Sequence, residues 1–309
     1  MLCLISFLHA STPKKVAYIV SDMSIPYWQI LSRGIQNASN NFNYTLTTYD
    51  AQNNPKKELE WVITAIQNKV DAIIISPTTS LACATALNLA KQANIPVVIA
   101  DIGTDAGEYL TYISSDNKQG AYDIAQVLID KMKTLNLTQG SVGIIAIPQK
   151  RLNGQARTQG FMQALSQANI KGANIKQQVD FSRQETYALT KELIQNNENL
   201  KAIWLQGSDK YEGALQAIYE AGKKEDILLI TFDAEPIFLE LIPQGVLVGA
   251  AMQQPFLMGE KAIEVLHAHF NGKVVNKTIQ LPILAVSQSN IQTLLPLIQR
   301  NVLGIKTNQ

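Results

Sequence analysis

Apolar residues along this chain follow two alternating rhythms. Short continuous apolar runs, "KVAYIVS" (15–21), "DAIIISP" (71–77) and "IPVVIAD" (95–101), are separated by longer stretches with apolar positions every three or four residues. Ile30, Leu31, Ile35 and Ala38 within 27–42 show that helical spacing. Short runs without polar alternation fit strands of a parallel sheet covered on both faces. "YTLTTYD" (44–50) takes the second strand position, and "NPKKELEWVITAIQNK" (54–69) opens a helix at Pro55. After "YLTYISSDN" (109–117) the pattern restarts, with strands expected at 141–147, 175–181, 201–207, 226–233 and 246–252. Helices are expected near 118–135, 155–169, 184–197, 209–221 and 234–243. Strand and helix alternating this often predict an α/β fold of two doubly wound parallel-sheet lobes.

In such sheets ligands bind beyond the carboxyl ends of the strands. Asp101 after "VVIA", Asp233 after "ILLITF" and Gln253 after "VGAAM" are polar residues placed directly at such ends. One of them could merely cap the next helix, but three indicate a site. Tyr27 and Trp28 stand side by side where a strand gives way to a helix, in "SDMSIPYWQI" (21–30). Two adjacent large rings at such a turn cannot both enter one core, so at least one is expected to face the site.

Composition narrows the function. The 309 residues are 46% apolar, enough for two ordinary domains with real cores. Twenty-six basic against 25 acidic residues give a net charge of +1, with no global field toward nucleic acid or an acidic membrane. The apolar "MLCLISFLHA" (1–10) reads as the remains of a secretory signal peptide, within a leader of residues 1–13, which implies export to the periplasm. No stretch approaches the ~20 apolar residues of a membrane span. Cys3 falls in the leader, and Cys83, in "SLACATALNLAKQ", reads as a small buried thiol. His9 is in the leader, while His267 and His269 are two apart near a helix end and point to different sides. Nucleophile elbow, P-loop, CxxC and HExxH patterns are missing from the sequence. The reading is therefore of a non-enzyme with no catalytic residue, metal or cofactor. About a dozen residues precede the first strand, too few for a DNA-binding head.

Several stretches together resemble one known family: "YDAQNNPKKEL" (49–59), "IISPTTS" (74–80), "AKQANIPVV" (90–98), "YISSDNKQGA" (112–121), "ARTQGF" (156–161) and "ITFDA" (230–234). They are similar to type I periplasmic binding proteins of the ribose-binding class. The resemblance implies an N-terminal lobe of 14–115 plus 255–282 and a C-terminal lobe of 116–254 plus 283–309. Three crossings would join them, with hinge positions at Ser115, Asp116, Gln254 and Pro282, and closure would hold one ligand between the lobes. It also implies ligand contacts from Ser21, Tyr27, Trp28, Ser76, Asp101, Gln155, Phe181, Asp233 and Gln253.

Departures from the sugar-type pattern matter as much. Ile25, Ser76 and Gly207 stand where such members carry asparagine, and Ile102 and Gln155 where they carry arginine. Two carboxylates in a closing cleft need positive charge or strong donors beside them. Lys150, Arg151, Arg183 and Lys210 are the nearby candidates; otherwise the ligand itself supplies the charge, as an amine held by aromatics and carboxylates would. The expected protein is a monomeric periplasmic clamp that captures a small polar ligand for an ABC importer. The alternative is a sensory partner of a membrane histidine kinase or chemoreceptor, with a cationic or non-sugar ligand.

Overall fold

The structure, a computed structural model, describes residues 12–305; most of the leader therefore lies outside the described residues. The chain begins with β1 (Lys15–Val20), α1 (Pro26–Asn41), β2 (Thr45–Asp50), α2 (Pro55–Gln67), β3 (Ala72–Ser76), α3 (Ser80–Gln92), β4 (Val97–Ala100) and β5 (Thr111–Ser115). It continues through α4 (Asn117–Thr134), β6 (Ser141–Ala146), α5 (Leu152–Gln167), β7 (Lys171–Gln177), α6 (Arg183–Asn196), β8 (Leu200–Leu205) and α7 (Tyr211–Glu220). Then come β9 (Leu228–Phe232), the short α8 (Phe238–Leu241), β10 (Gly249–Met252), α9 (Pro255–Phe270), β11 (Thr278–Leu281), β12 (Leu284–Ser287) and α10 (Ile291–Leu297). A π-helical turn, Ile298–Val302, follows.

These strands form two six-stranded sheets, ordered β2-β1-β3-β4-β5-β11 and β7-β6-β8-β9-β10-β12. Every recorded pairing is parallel except β10 with β12, an antiparallel edge on the second sheet. β3 and β4 are buried at every position, which is why their sequences are apolar without alternation. In each sheet the order reverses beside the first strand, between β1 and β3 and between β6 and β8, and a crevice opens at such a reversal.

Helices cover the sheets on both faces, and glycine sets the closest approach. A Cβ on Gly34 of α1 would lie 2.1 Å from the Phe256 carbonyl oxygen of α9. Gly34→Ala must therefore push the two helices apart, at an expected cost of about 1–3 kcal/mol in urea unfolding. An unchanged midpoint would show that the contact yields freely.

The chain passes from the first sheet to the second after Ser115, back after Met252 through Gln253 and Gln254, and across again through Pro282 and Ile283. Gln254 ties two of these passages, its Nε2 donating to the Pro282 carbonyl at 2.8 Å. The tail reaches both lobes. Ile298, Val302 and Leu303 pack into the core of the second sheet, but Arg33 of α1 donates to the Leu303 carbonyl at 2.8 Å. Arg300 meets both carboxylate oxygens of Glu260 on α9, at 3.0 and 2.9 Å. One turn with an apolar and a polar face thus straps both lobes. Some boundaries moved: β7 lies several residues before the expected 175–181, and the expected 234–243 helix shrinks to α8.

Candidate functional site

The loops at the carboxyl ends of both sheets face one another around a cavity of about 60 Å³. Ile25 is extended (φ −91°, ψ 124°) and Pro26 opens α1, so Tyr27 and Trp28 occupy its first turn. Trp28, 5% exposed, packs into the apolar core of the first sheet, and its ring meets that of Tyr27 edge-on with centroids 4.9 Å apart. Both residues line the cavity, so the core and the site share the pair. The Tyr27 hydroxyl donates to Asp101 Oδ1 at 3.0 Å.

Asp101 follows β4 in the left-handed region (φ 72°) and is 2% exposed. Burial pushes its carboxyl up to about 6, the Asp233 charge adds to this, and the Arg157 charge opposes it. On the opposite wall Asp233 follows β9 with φ 68°, accepting from Gln253 Nε2 at 2.6 Å and pairing with Arg157 Nη1 at 3.5 Å. Burial raises this carboxyl too, and Arg157 and Gln253 hold it down.

Phe181 completes the aromatic lining and also has positive φ, 53°. Its placement comes from the cap of α6: Ser182 Oγ accepts from Glu185 N at 3.0 Å. The Glu185 carboxylate accepts in turn from the backbone of Val179, Asp180 and Phe181 at 2.6, 3.1 and 2.8 Å. Ser-x-x-Glu is a capping-box signature, legible in the sequence.

The structure does not bring every expected contact to the cavity. Ser21 and Ser76 are buried below it, Ser76 Oγ lying 3.1 Å from the Tyr18 hydroxyl, and neither is among the cavity's lining residues. Gln155 is exposed and turns back to donate to the Gln149 carbonyl at 2.9 Å. Two positions along a helix are about 200° apart around its axis, so Gln155 faces away when Asn153 faces inward. Asn153 and Arg157, at i and i+4 on α5, share the inward face, and the Asn153 amide donates to Asp101 Oδ2 at 3.3 Å.

Of the two sources of positive charge open to the carboxylates, protein or ligand, the structure shows the protein. Arg157 lies beside Asp233, and Arg151, just before α5, lines the cavity at 7% exposure. Of the four cations weighed from the sequence, Arg151 enters; Lys210 pairs with Asp209 at 2.8 Å, and Arg183 pairs outside with Glu212 at 3.1 Å. Asp101 and Asp233 thus face two guanidiniums, the third lining carboxylate, Asp209, is paired with Lys210, and the case for a cationic ligand loses its premise. Ile25, Ile102 and Ile147 add apolar wall, and at Gly207 an added Cβ would meet Asp209 Oδ1 at an ordinary contact of 3.8 Å. The arrangement suits a small neutral molecule that both donates and accepts hydrogen bonds and presents an apolar face to the rings.

Behind the first-lobe wall lies Glu58, fully buried, its carboxylate accepting from the Thr78 amide. Burial pushes it up to about 7, against the Thr78 hydrogen bond and the Arg151 charge. An unfolded glutamate titrates lower, near 4.5, so between these values the unfolded chain holds fewer protons than the folded one. Stability should be greatest below this window and fall as pH rises through it, by up to roughly 3 kcal/mol from this group. Glu58→Gln should flatten that fall relative to wild type in unfolding curves at pH 5 and pH 8; parallel losses in both proteins would contradict it.

Among the described residues no group of three or more histidine, cysteine or acidic side chains could hold a metal ion, and no helix is long and apolar enough to cross a membrane. Cys83 is buried, its thiol pushed up to about 12 chiefly by burial. His267 Nδ1 lies 2.8 Å from the Tyr44 hydroxyl, with its ring stacked on Phe42.

Known proteins share this architecture. The ribose import binding protein of Bacillus subtilis is 31% identical over 269 residues, covering 87% of this chain and 86% of the relative. A carbohydrate transporter solute binding protein from Agrobacterium radiobacter, in complex with D-arabinose, superposes with TM-score 0.86 at 23% identity, over 95% of this chain and all of that one. A periplasmic solute binding protein from Actinobacillus succinogenes with bound D-allose gives 0.84 at 22% identity, over 91% of this chain and 99% of that one. The family model described as a periplasmic binding protein domain matches residues 16–274, and the chain belongs to that family.

Proposed function

We propose that this protein binds a small neutral sugar, of pentose or short-polyol size, between its lobes and delivers it to the membrane permease of an ABC importer, acting as a monomer in the periplasm. The observation that carries the reading is the charge-balanced cavity, with Asp101 and Asp233 set against Arg157 and Arg151, and Asp209 neutralised by Lys210, between the rings of Tyr27, Trp28 and Phe181. Carboxylates accept from sugar hydroxyls, guanidiniums donate to them, and aromatic faces cover ring CH groups. A cavity of about 60 Å³ favours a small ligand, far below the ~300–1,000 Å³ of pockets for drug-sized molecules. The ribose importer component and the D-arabinose and D-allose complexes named above support the same chemical class. Nothing among those relatives favours the sensory alternative.

A thermal-shift panel of aldopentoses, aldohexoses, polyols and amines tests the class. Stabilisation by neutral polyhydroxylated compounds is expected, growing with ligand concentration. Stabilisation by amines alone would return the ligand to the cationic class.

A further inference from the structure

Arg151 does more than line the cavity. Its Nε donates to the Thr78 carbonyl at 3.3 Å and its Nη2 to Asn53 Oδ1 at 3.0 Å, both on the other lobe. Neither acceptor lines the cavity, so these bonds run from lobe to lobe along its rim.

Each acceptor is held in place by its own lobe. Thr78 is fixed through its amide on the buried carboxylate of Glu58. Asn53 sits in the left-handed region (φ 53°) with its amide donating to the Ser21 carbonyl at 2.6 Å. On the second lobe the Arg151 guanidinium lies 5.6 Å from the centre of the Phe181 ring, which limits where it can swing. A planar guanidinium with two donors directed at two prearranged acceptors forms a specific contact that a lysine could not reproduce.

We propose that Arg151 is a positioning residue for closure, fastening the lobes through Asn53 and Thr78 and so setting how long a bound ligand is held. The inference rests on the binding reading above and adds its kinetics. Bonds that exist only when the lobes meet stabilise the closed form and slow its reopening, with little effect on the first encounter.

Asn53→Gly tests this without touching the cavity, because glycine accepts the left-handed backbone while the side-chain acceptor is lost. Ligand release is followed by stopped-flow tryptophan fluorescence, in which Trp28 lines the cavity, using a sugar that saturates the wild type. Release should accelerate roughly tenfold in Asn53→Gly, the weight of one charge-assisted hydrogen bond, with the association rate nearly unchanged. Arg151→Lys should release faster than wild type, and combining it with Asn53→Gly should add less than the sum of the two effects. Release from Asn53→Gly at the wild-type rate, or a loss confined to association, would overturn the latch. If no sugar binds the wild type, the sugar reading fails on its own. The latch is then judged by small-angle scattering of the protein alone, where Asn53→Gly should be the more extended and equal radii would overturn it.

Discussion

Arg157→Met is expected to destabilise the fold by about 3–5 kcal/mol and to abolish measurable ligand binding. At 3% exposure the guanidinium joins three separate parts of the second lobe. Its Nε donates to Asn117 Oδ1 at 2.8 Å, at the start of α4 beside the first crossing, and its Nη1 donates to the Gln206 carbonyl at 2.7 Å. It also stands 3.5 Å from the Asp233 carboxylate and 3.8 Å over the Phe232 ring. Methionine fills much of the volume but leaves Asp233 buried near Asp101 with its opposing charge removed. Denaturant unfolding measures the loss. Arg157→Lys, which keeps the charge without the fork, should fold and lie between the two, so binding can be read even if the methionine variant unfolds. A loss below about 1 kcal/mol for methionine would mean that the carboxylates do not depend on this cation.

The second large effect belongs to Asp101. Asparagine shares the size of the native side chain and tolerates a left-handed backbone, so Asp101→Asn isolates the charge. Two hydroxyl donors on an ionised acceptor contribute about 1.5–3 kcal/mol each, and affinity near pH 7.5 should fall at least tenfold, by calorimetry. The pH dependence carries a sharper signature. The carboxyl lies near 6 in this cavity, and donors from a ligand favour its ionised form. Wild-type affinity should therefore be full above about pH 7 and weaken as pH falls through 6, by no more than about tenfold per unit for one proton. The asparagine variant should lack this acid limb. An unchanged limb would assign it to another group; equal affinity at neutral pH would remove Asp101 from the ligand contacts.

What the sequence showed and what it hid have physical causes. β1, β3 and β4 were plain because strands covered on both faces leave unbroken apolar runs. β7 was displaced because "KGANIKQ" has no position fully buried, while the apolar residues that drew attention, Val179 and Phe181, belong to the loop that presents Phe181 to the cleft. The aromatic pair and the aspartates after β4 and β9 were legible as strand-end residues. Arg151 was legible as one of four candidate cations, but Arg157 was not, because the sugar-type arginine positions fall at Ile102 and Gln155, whereas the second guanidinium enters two residues beyond Gln155. Asn153 and Arg157 at helical i, i+4 spacing were the available signal, and following the inward face of α5 would have found both. The cross-lobe bonds of Arg151 had no local signal, since its acceptors lie 73 and 98 residues away.

The central claim is that a neutral sugar closes this cleft. Protein stripped of any copurifying ligand by unfolding and refolding, then titrated calorimetrically with D-ribose, D-arabinose and D-allose, tests it most directly. Saturable one-to-one binding of at least one of them, at least tenfold weaker in Asp101→Asn, is the predicted result. No heat and no thermal shift with any of the three, or equal binding by wild type and variant, would contradict it.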